Sequence, residues 1–344
     1  MKVSIRTRMV LSSLLKSIGY VAEKFNHYKK DHFLILMYHR VVYSSETENH
    51  VEPGMYVEPE TFQGQIGFLK NLFEIISFRD LYLKMFHKEP CNQRTKPLCI
   101  LTFDDGWHDF YEYVFPILLD HGVPATVFLP TDYIGTNNLF WTDRFTYMFV
   151  RFKYIMKNKI DIKKSKNELI NRLENLDGNK ETILGKAINI LKEYPNNIIE
   201  ETLYELKNRW NIDKDISGPA FLTWEEVDVM SKSGIVSFGS HTASHKILTL
   251  LTEGEAWNEL IKSKQTLCIR KVVDSNFIPF CYPNGYWNEK TAKLVENAGY
   301  SIAVTTDKGW NRYDSGLFSL KRIGIHQDMT ITDEMMICRI LGIL

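Results

Sequence analysis

The sequence has few cysteines and none of the spacings by which cysteines usually bind a metal. They stand at Cys91, Cys99, Cys268, Cys281 and Cys338, an odd number without a Cys-x-x-Cys pair. A disulfide framework uses an even set of cysteines, and a cysteine-based zinc site uses close pairs. We therefore expect reduced, mostly buried thiols in a reducing compartment.

Long hydrophobic runs and a net charge are also missing. No stretch approaches the ~18 consecutive apolar residues of a membrane-spanning helix. The 42 basic and 42 acidic side chains cancel, so no overall field attracts polyanions, and we expect no nucleic acid partner.

The apolar run near the N-terminus is cut short at Lys16 and no small-residue cleavage site follows, so we expect no secretory signal and a cytoplasmic location.

What the chain does have is length and apolar side chains. Its 344 residues, 44% of them hydrophobic, can form one large domain or two ordinary ones. Residues 1–31 place apolar side chains at helical spacing among basic ones, which predicts an N-terminal amphipathic helix. Such a helix packs on the domain or, alternatively, makes a peripheral contact with a membrane surface.

Seven short apolar runs, bounded by turn residues, predict buried strands. Helix-like stretches lie between most of them, and this alternation favours a parallel sheet covered by helices, the α/β class. The segment 140–218 is rich in Lys, Asn and Glu and predicts a helical insertion in a domain that spans 32–344. The predicted strands are 32–39, 98–103, 125–130, 234–240, 277–283, 300–306 and 320–326.

Polar side chains cluster where these strands end. In an α/β barrel the carboxyl ends of all strands meet at one rim, where active sites lie. The pattern therefore predicts that residues distant in sequence converge on one pocket. The clusters are Tyr38-His39-Arg40, Asp104-Asp105, His241 with His245, Pro283-Asn284-Gly285, Asp307 and His326.

Two motifs carry candidate metal ligands. "SHTASH" places His241 and His245 four residues apart, on one face if a helical turn begins there. With one carboxylate from "LTFDDG" they form a three-ligand set that leaves a position for water, as a catalytic metal requires. The other aspartate is then free to accept a proton from that water. The alternative is that Asp104 and Asp105 cap the helix that follows them.

The last predicted strand ends with a candidate acid. Period-two alternation puts Arg322, Gly324 and His326 on one face of the sheet. Asp307 ends the preceding strand. A carboxylate beside an imidazole raises the imidazole pKa, so we expect Asp307 to keep His326 protonated for general acid catalysis.

Five motifs in this order resemble those of the polysaccharide deacetylase family, carbohydrate esterase family 4, which includes chitin-oligosaccharide and peptidoglycan deacetylases. The resemblance covers about 33–330 and implies a distorted (β/α)7 barrel. "LMYHRV" at 36–41 further resembles the bacterial exopolysaccharide-linked branch of that family. The five motifs are "TFDDG" (102–106), "SHTASH" (240–245), "CYPNG" (281–285), "TDKGW" (306–310) and "IGIH" (323–326).

The resemblance implies a role for each matching residue. It makes Asp104 the general base, and it makes His326, tuned by Asp307, the acid that protonates the leaving amine. The implied cofactor is a divalent metal, and we expect Zn²⁺, although such a ligand set also accepts other divalent ions. The implied metal ligands are Asp105, His241 and His245.

The same resemblance implies contacts with the substrate. The backbone N–H of Asn284 would help to stabilise the oxyanion, and Trp310 would wall the pocket for the acetyl methyl group. Each of the further candidates is alternatively an ordinary core or hydrogen-bonded side chain. These candidates for the sugar site are Trp107, Tyr282, Tyr286 and His39.

The third motif departs from the family pattern. The family commonly has Arg-x-Pro-Tyr-Gly, in which the arginine pairs with the catalytic aspartate, whereas this chain has Cys281 in the arginine position. A thiol cannot form that bidentate ion pair. We expect Arg40 or Arg322, both predicted at the rim, to replace the missing arginine.

The sequence thus predicts a metal-dependent hydrolase that removes N-acetyl groups from an amino sugar in a polysaccharide, an oligosaccharide or a lipid-linked precursor. The expected partner is an N-acetylated saccharide. Two alternatives stay open. The motifs also fit a hydrolase of a non-sugar amide, and the missing arginine leaves room for a catalytically silent saccharide-binding protein.

Overall fold

The computed structural model describes residues 5–17, 19–28, 31–47, 54–86, 95–156, 164–178, 180–212 and 220–343. Short strands and helices alternate along most of this length. The described strands are β1 (His32–Tyr38), β2 (Arg40–Val41), β3 (Tyr56–Val57), β4 (Glu74–Ile75), β5 (Leu98–Phe103), β6 (Ala125–Leu129), β7 (Val236–Ser240), β8 (Pro279–Cys281), β9 (Ile302–Lys308), β10 (Asn311–Arg312) and β11 (Leu320–Gly324).

Helices separate most of these strands, and short π-helical or 3₁₀ turns occur at Phe110–Val114, Arg151–Met156, Leu248–Leu250 and Pro283–Gly285. The described α-helices are α1 (Ile5–Ser17), α2 (Tyr20–Tyr28), α3 (Ser44–Thr47), α4 (Pro59–Leu72), α5 (Phe78–Phe86), α6 (Phe115–His121), α7 (Trp141–Val150), α8 (Glu168–Glu174), α9 (Lys180–Leu191), α10 (Asn196–Arg209), α11 (Trp224–Lys232), α12 (Glu253–Ile269), α13 (Glu289–Asn297), α14 (Gln327–Thr330) and α15 (Asp333–Ile340).

Seven of the described strands close into a parallel barrel. They pair in the order β1, β11, β9, β8, β7, β6 and β5, and β5 pairs again with β1 to complete the ring. Each of the seven coincides with one of the predicted apolar runs, so the predicted distorted (β/α)7 barrel is confirmed. Strand β10 adds to β1 in antiparallel direction, and β4 adds to β5 in parallel direction.

Alternation along the strands builds the interior of the barrel. Ile100 of β5 and Leu320 of β11 belong to one buried apolar cluster. Side chains two residues apart on a strand lie on the same face of the sheet. Thr102 and then Asp104 continue the inward face of β5 toward the rim, and Arg322 continues that of β11. The polar residues of the rim thus stand on top of an apolar core.

Local hydrogen bonds fix where two of the surrounding helices begin. Thr223 before α11 and Thr252 before α12 each accept a hydrogen bond from the backbone N–H three residues later. The side chains of Glu226 and Glu255 bond back to the capping residues, which completes a capping box in each case. This fixes the start of α12, whose side chains reach the rim.

The N-terminal segment contains two helices, α1 and α2, where the sequence predicts one. Arg8 of α1 binds Asp328 at 3.1 Å, and Lys16 binds Glu334 at 3.0 Å. Two basic residues of α1 therefore dock it on α14 and α15. Within the described residues, no helix is long and apolar enough to cross a membrane.

A second compact unit comprises Tyr43–Met55 and Asn137–Ala220, and it contains the segment predicted as a helical insertion. Its helices α7 to α10 enclose an apolar cluster of their own. Glu174 at the end of α8 accepts hydrogen bonds from Arg209 and Trp210 at the end of α10. The unit therefore has both an apolar core and a polar clasp between its helices.

The described cysteines are free thiols. Cys99, Cys281 and Cys338 are buried, and Cys268 is partly buried. Cys91 lies outside the described residues. For the described cysteines, the expectation that most are buried is confirmed.

Gly239 of β7 offers a test of how closely the barrel strands pack. A Cβ atom at this position would lie 2.6 Å from the carbonyl oxygen of Pro279 and 2.7 Å from the ring of Phe128. Because the backbone of a closed ring cannot shift freely, we expect Gly239→Ala to lower the free energy of unfolding by about 1–3 kcal/mol. Urea denaturation measures this change.

The matched control is Gly67→Ala in α4, where an added Cβ meets nothing within 4 Å. Alanine is a better helix former than glycine, so this variant should gain up to about 1 kcal/mol. Equal stability of the two variants would contradict the close packing of β6, β7 and β8.

Candidate active site

The three predicted metal ligands come together at the rim of the barrel. Asp105 follows β5, and His241 and His245 follow β7. The Nε2 atom of His241 lies 3.4 Å from Asp105 Oδ1, and the Nε2 atom of His245 lies 3.3 Å from the same oxygen. One donor atom from each residue lies within 4.8 Å of the others.

The protonation pattern of this set suits a divalent cation. His241 Nδ1 lies 2.8 Å from the carbonyl oxygen of Cys281. Because a carbonyl only accepts hydrogen bonds, Nδ1 carries a proton, and Nε2 is the ring nitrogen that faces Asp105 and could bind a metal there. Burial disfavours the charge of Asp105, but hydrogen bonds with His241 and His245 outweigh it and hold the Asp105 pKa well below its usual value. Two imidazole nitrogens and one carboxylate oxygen thus fit a metal such as Zn²⁺.

The two histidines are brought together by a turn and not by the first turn of a helix. Residues 242–244 form this turn, and Thr242 (φ +63°) and His245 (φ +58°) both have left-handed backbone conformations. Asp105 is left-handed as well, with φ +75°. Such conformations are costly for residues other than glycine, and they cluster at functional sites.

A second group of potential ligands shares His241 with the first. Asp104, His241 and Cys281 also offer donor atoms within 4.8 Å of one another. The guanidinium of Arg322 already serves this group, because its Nη2 atom lies 2.7 Å from Asp104 Oδ2 and 3.1 Å from Cys281 Sγ. Because the positively charged side chain of Arg322 already binds Asp104 and Cys281, it excludes a metal ion from this second group. The group formed by Asp105, His241 and His245 is therefore the better metal site.

Arg322 supplies the ion pair that the third motif lacks. Its Nη1 and Nη2 atoms each lie 2.7 Å from an oxygen of Asp104, and Arg322 is only 1% exposed. Its Nε–H donates to the carbonyl of Thr305, and Nη1 also reaches the hydroxyl of Thr102. Of the two arginines expected to replace the missing one, Arg40 and Arg322, it is Arg322 that contacts Asp104.

Arg40 does not take this role. Its Nε–H donates to Asp109 Oδ2 at 2.7 Å. The backbone N–H of Val41 donates to the other oxygen of the same carboxylate at 3.0 Å. Asp109, which follows the "DDG" motif, lies directly beside β2. Arg40 therefore pairs with Asp109 and not with Asp104.

Asp104 is buried and charged. Burial raises its pKa, but the charge and hydrogen bonds of Arg322 outweigh burial, so the Asp104 pKa lies below its usual value. The carboxylate therefore carries a negative charge at neutral pH. His39 Nε2 lies 3.9 Å from Asp104 Oδ2, and the Nδ1 atom of His39 is buried without a hydrogen-bond partner among the described residues.

Trp107 supports a metal ligand, although the sequence assigns it to the sugar site. Its indole N–H donates to Asp105 Oδ2 at 3.1 Å. One face of the ring is covered by the guanidinium of Arg40 at 4.5 Å, and the ring stacks on Phe221 at 4.6 Å. With 5% exposure and both faces covered, Trp107 has no ring face free to stack on a sugar.

His326 and Asp307 do not form the predicted pair. Asp307 is exposed and accepts a hydrogen bond from the indole N–H of Trp287 at 2.9 Å. Burial lowers the pKa of His326 to about 4, and the positive charges of His39 and Arg339 add to this effect. The prediction that Asp307 raises the His326 pKa is wrong, because the carboxylate that opposes the effect of burial is Asp328, and it does not outweigh that effect.

The other predicted substrate contacts divide into two groups. Tyr286 is 56% exposed, and Asn284, with φ +55°, stands in the turn just before it. Tyr282 is buried, and its hydroxyl donates to the carbonyl of Phe318 at 3.0 Å, which leaves it no part in a sugar site.

Trp310 packs against the N-terminal and C-terminal helices. Its ring stacks on Tyr28 of α2 at 4.8 Å. Its indole N–H donates to the carbonyl of Ile340 at 2.9 Å, at the end of α15. These contacts do not support the prediction that Trp310 walls an acetyl pocket.

Comparison with known sequences identifies the family. Residues 92–303, more than half of the chain, match the family model described as polysaccharide deacetylase. The chain belongs to the polysaccharide deacetylase family. One curated relative is YxkH of Bacillus subtilis, whose name refers to a polysaccharide deacetylase; it is 34% identical over 123 residues, which are 35% of this chain and 42% of YxkH. The match thus spans less than half of that relative's length.

Solved structures of proteins described as deacetylases share the fold of this family member. The deacetylase PplD of Streptococcus pyogenes, solved with acetate, has a TM-score of 0.55 and 22% identity over 87% of this chain and 95% of PplD. BC0361, a polysaccharide deacetylase of Bacillus cereus, has a TM-score of 0.54 and 20% identity over 87% of this chain and 66% of its own. IcaB of Ammonifex degensii has a TM-score of 0.54 and 16% identity over 87% of this chain and 93% of IcaB.

Several residues of this deacetylase-family site carry no sequence signal of their own. Asp109 and Phe221 hold Arg40 and Trp107 in place. Glu259 of α12 bonds to the turn between the two histidines. Asp109 could have been suspected, since it follows the "DDG" motif closely, whereas Glu259 stands in an ordinary helical pattern.

Trp107→Phe tests the support of Asp105. The variant keeps an aromatic ring between Arg40 and Phe221 but removes the N–H that orients the carboxylate. Loss of such an outer hydrogen bond weakens metal binding about 10- to 100-fold, and calorimetric titration with Zn²⁺ measures this. Trp287→Phe removes the matching N–H from Asp307, and we expect it to bind Zn²⁺ like the parent. Equal affinities of all three proteins would refute the role given to Trp107.

Arg322→Met tests the buried ion pair. The variant leaves Asp104 buried without its partner, so we expect the free energy of unfolding to fall by about 3–5 kcal/mol at neutral pH. Because the folded-state pKa of Asp104 is depressed, the stability given by the pair is full above the ordinary value of 3.8 and is lost as the pH falls through the lower, folded-state value. Urea denaturation at several pH values measures both effects.

The control for this variant is Arg312→Met, which removes an exposed arginine paired with Asp31 and Asp314. Exposed pairs contribute at most about 1 kcal/mol. A loss in Arg322→Met no larger than in this control would show that Asp104 does not depend on Arg322.

Proposed function

We propose that the protein hydrolyses the N-acetyl group of an N-acetylated amino sugar to acetate and a free amine. The observation that carries the proposal is the convergence of Asp105, His241 and His245 beside the buried, charged Asp104 at the rim of a deacetylase-family barrel. Membership of the family supports a saccharide as the substrate. The acetate found with PplD, a protein of the same fold, agrees with this choice of product.

Asp105, His241 and His245 would hold a divalent cation, for which we expect Zn²⁺ because two imidazoles and one carboxylate suit it. Bound there, the cation would supply Lewis acidity toward water and toward the acetyl oxygen. The proton transfers are carried out by side chains of the protein itself.

Asp104 acts as the general base. It takes a proton from the attacking water, whose oxygen bonds to the acetyl carbon. Arg322 holds both carboxylate oxygens, which fixes the direction in which Asp104 accepts the proton. The C–N bond then breaks, and the amine nitrogen accepts a proton as it leaves.

His326 delivers this proton. With its pKa lowered to about 4, it is neutral in the free protein at neutral pH. Negative charge that develops on the reacting acetyl oxygen favours the protonated imidazole, so His326 takes a proton from solvent and donates it to the leaving nitrogen, while Asp104 releases to solvent the proton that it took from the attacking water. We assign the stabilisation of that oxygen to the backbone N–H of Asn284 as well.

The exposed ring of Tyr286 is the platform that we assign to the sugar, because carbohydrate faces stack on accessible aromatic rings. His39 lines the same side of the site as Asp104. The exopolysaccharide-linked branch, indicated by "LMYHRV", stays a prediction from the sequence.

We propose a cytoplasmic enzyme that acts on a glycoconjugate precursor. Peripheral contact with a membrane through α1 stays part of this proposal, since Val10 and Leu14 are exposed at 71% and 56%. A fusion reporter that showed export of the intact N-terminus would overturn the cytoplasmic location.

The rival of a silent saccharide-binding protein was suggested by the missing third-motif arginine. Arg322 now occupies the partner position of Asp104, so that reason no longer applies. A hydrolase of a non-sugar amide would use the same metal and base, and assays on sugar and non-sugar amides separate the two.

Asp104→Asn and His326→Ala test the reaction. Loss of a general base or acid slows turnover about 100- to 10,000-fold, so we expect acetate release to fall by that range in each variant. The assay uses Zn²⁺-loaded protein with a panel of free and lipid-linked N-acetylated sugars. Asp314→Asn, an exposed site, is the control. Folded, metal-loaded variants that release acetate at the parental rate would end the proposal.

A further inference from the structure

The turn between the two histidine ligands is held by a carboxylate that no motif contains. Glu259 lies on α12, and one of its oxygens accepts hydrogen bonds from the backbone N–H groups of Ala243 and Ser244 at 3.1 and 2.8 Å. Its other oxygen accepts the hydroxyl of Ser244 at 2.6 Å. Three donors between His241 and His245 thus converge on one side chain.

The same face of α12 also contacts Ser240, the first residue of the "SHTASH" motif. Ser263 lies one helical turn after Glu259, and its hydroxyl lies 2.8 Å from that of Ser240. The Ser240 hydroxyl in turn accepts the backbone N–H of Thr242 at 3.2 Å. Ser240 and Ser263 are fully buried, and the Glu259 side chain is 11% exposed. The turn is therefore tied to α12 at two points.

The turn needs such support. The left-handed conformations of Thr242 and His245 are costly for these residue types and persist only where the surroundings enforce them. Hydrogen bonds to a carboxylate are about twice as strong as neutral ones. Without Glu259, the amides of Ala243 and Ser244 would have no strong acceptor to keep the chain reversed.

We infer that Glu259 is a positioning residue of the metal site. Its carboxylate fixes the turn so that the imidazole of His245 stays beside the imidazole of His241 and the carboxylate of Asp105. It does not touch the metal or the substrate. The inference rests on the proposed function, because it assigns to Glu259 the task of aligning the proposed ligands.

Glu259→Gln is the matched variant, because it keeps the shape of the side chain but replaces one acceptor oxygen by an N–H₂ group. That group faces donors and cannot accept their hydrogen bonds. Titration of the metal-free protein with Co²⁺ gives the affinity, and the visible spectrum of the bound ion reports the geometry of its ligands. Glu253→Gln, an exposed glutamate on the same helix, is the control.

We expect Glu259→Gln to bind Co²⁺ at least about tenfold more weakly than the parent, with an altered spectrum, as is usual when an outer partner of a ligand is lost. In the metal-free protein, the Ala243 and Ser244 amides should exchange with solvent faster in this variant. Glu253→Gln should match the parent in every measurement. If Glu259→Gln does not fold, Ser244→Ala takes its place as the test. This variant removes only the hydrogen bond from the Ser244 hydroxyl to Glu259, and it should also weaken Co²⁺ binding.

The outcomes separate this inference from the proposed function. Parental affinity and spectrum in folded Glu259→Gln, or in folded Ser244→Ala if the former fails to fold, would overturn the inference and leave the proposed function standing. If the parent binds Co²⁺ no better than Asp105→Asn does, the proposed metal site is wrong and the inference falls with it.

Discussion

The buried ion pair between Arg322 and Asp104 is the contact on which the rest of the site depends. Taking two charges out of water costs several kcal/mol per ion, and only good geometry with further hydrogen bonds offsets that cost. Here the guanidinium grips both carboxylate oxygens and also reaches Thr102, Thr305 and Cys281. These partners belong to β5, β9 and β8, and the arginine belongs to β11. A single side chain therefore ties four strands together near the rim.

This pair also explains how two adjacent acids share one strand end. Asp104 faces inward to the arginine, and the left-handed backbone of Asp105 turns the second carboxylate toward the histidines. Trp107 holds the outer oxygen of that carboxylate. Each acid is thus kept charged by a different set of partners, so one can bind a cation while the other exchanges protons.

The sequence was sufficient for the barrel and for the motifs at its rim, because apolar runs of five or more residues reveal strands through composition and bounding turns. Two-residue strands such as Arg40–Val41 carry no such pattern. Side-chain partners across the fold were harder to predict. The sequence pattern predicts that Trp107 stacks on a sugar and that Asp307 pairs with His326. In the structure, Arg40 of β2 and Phe221 cover the Trp107 ring, and Trp287 binds the Asp307 carboxylate. Glu259 belongs to no motif, since its acceptor role depends on where α12 passes the turn.

The long sequence separation between Asp104 and Arg322 has a consequence for co-translational folding. Arg322 follows Asp104 by 218 positions, so a nascent chain exposes the acid well before its counterion is synthesised. Until the final strand is inserted between the first strand and β9, the carboxylate must stay hydrated or protonated. The candidate site is therefore complete only after β11 has been synthesised, and a product truncated before Arg322 would lack the partner of Asp104 even with Asp105, His241 and His245 present.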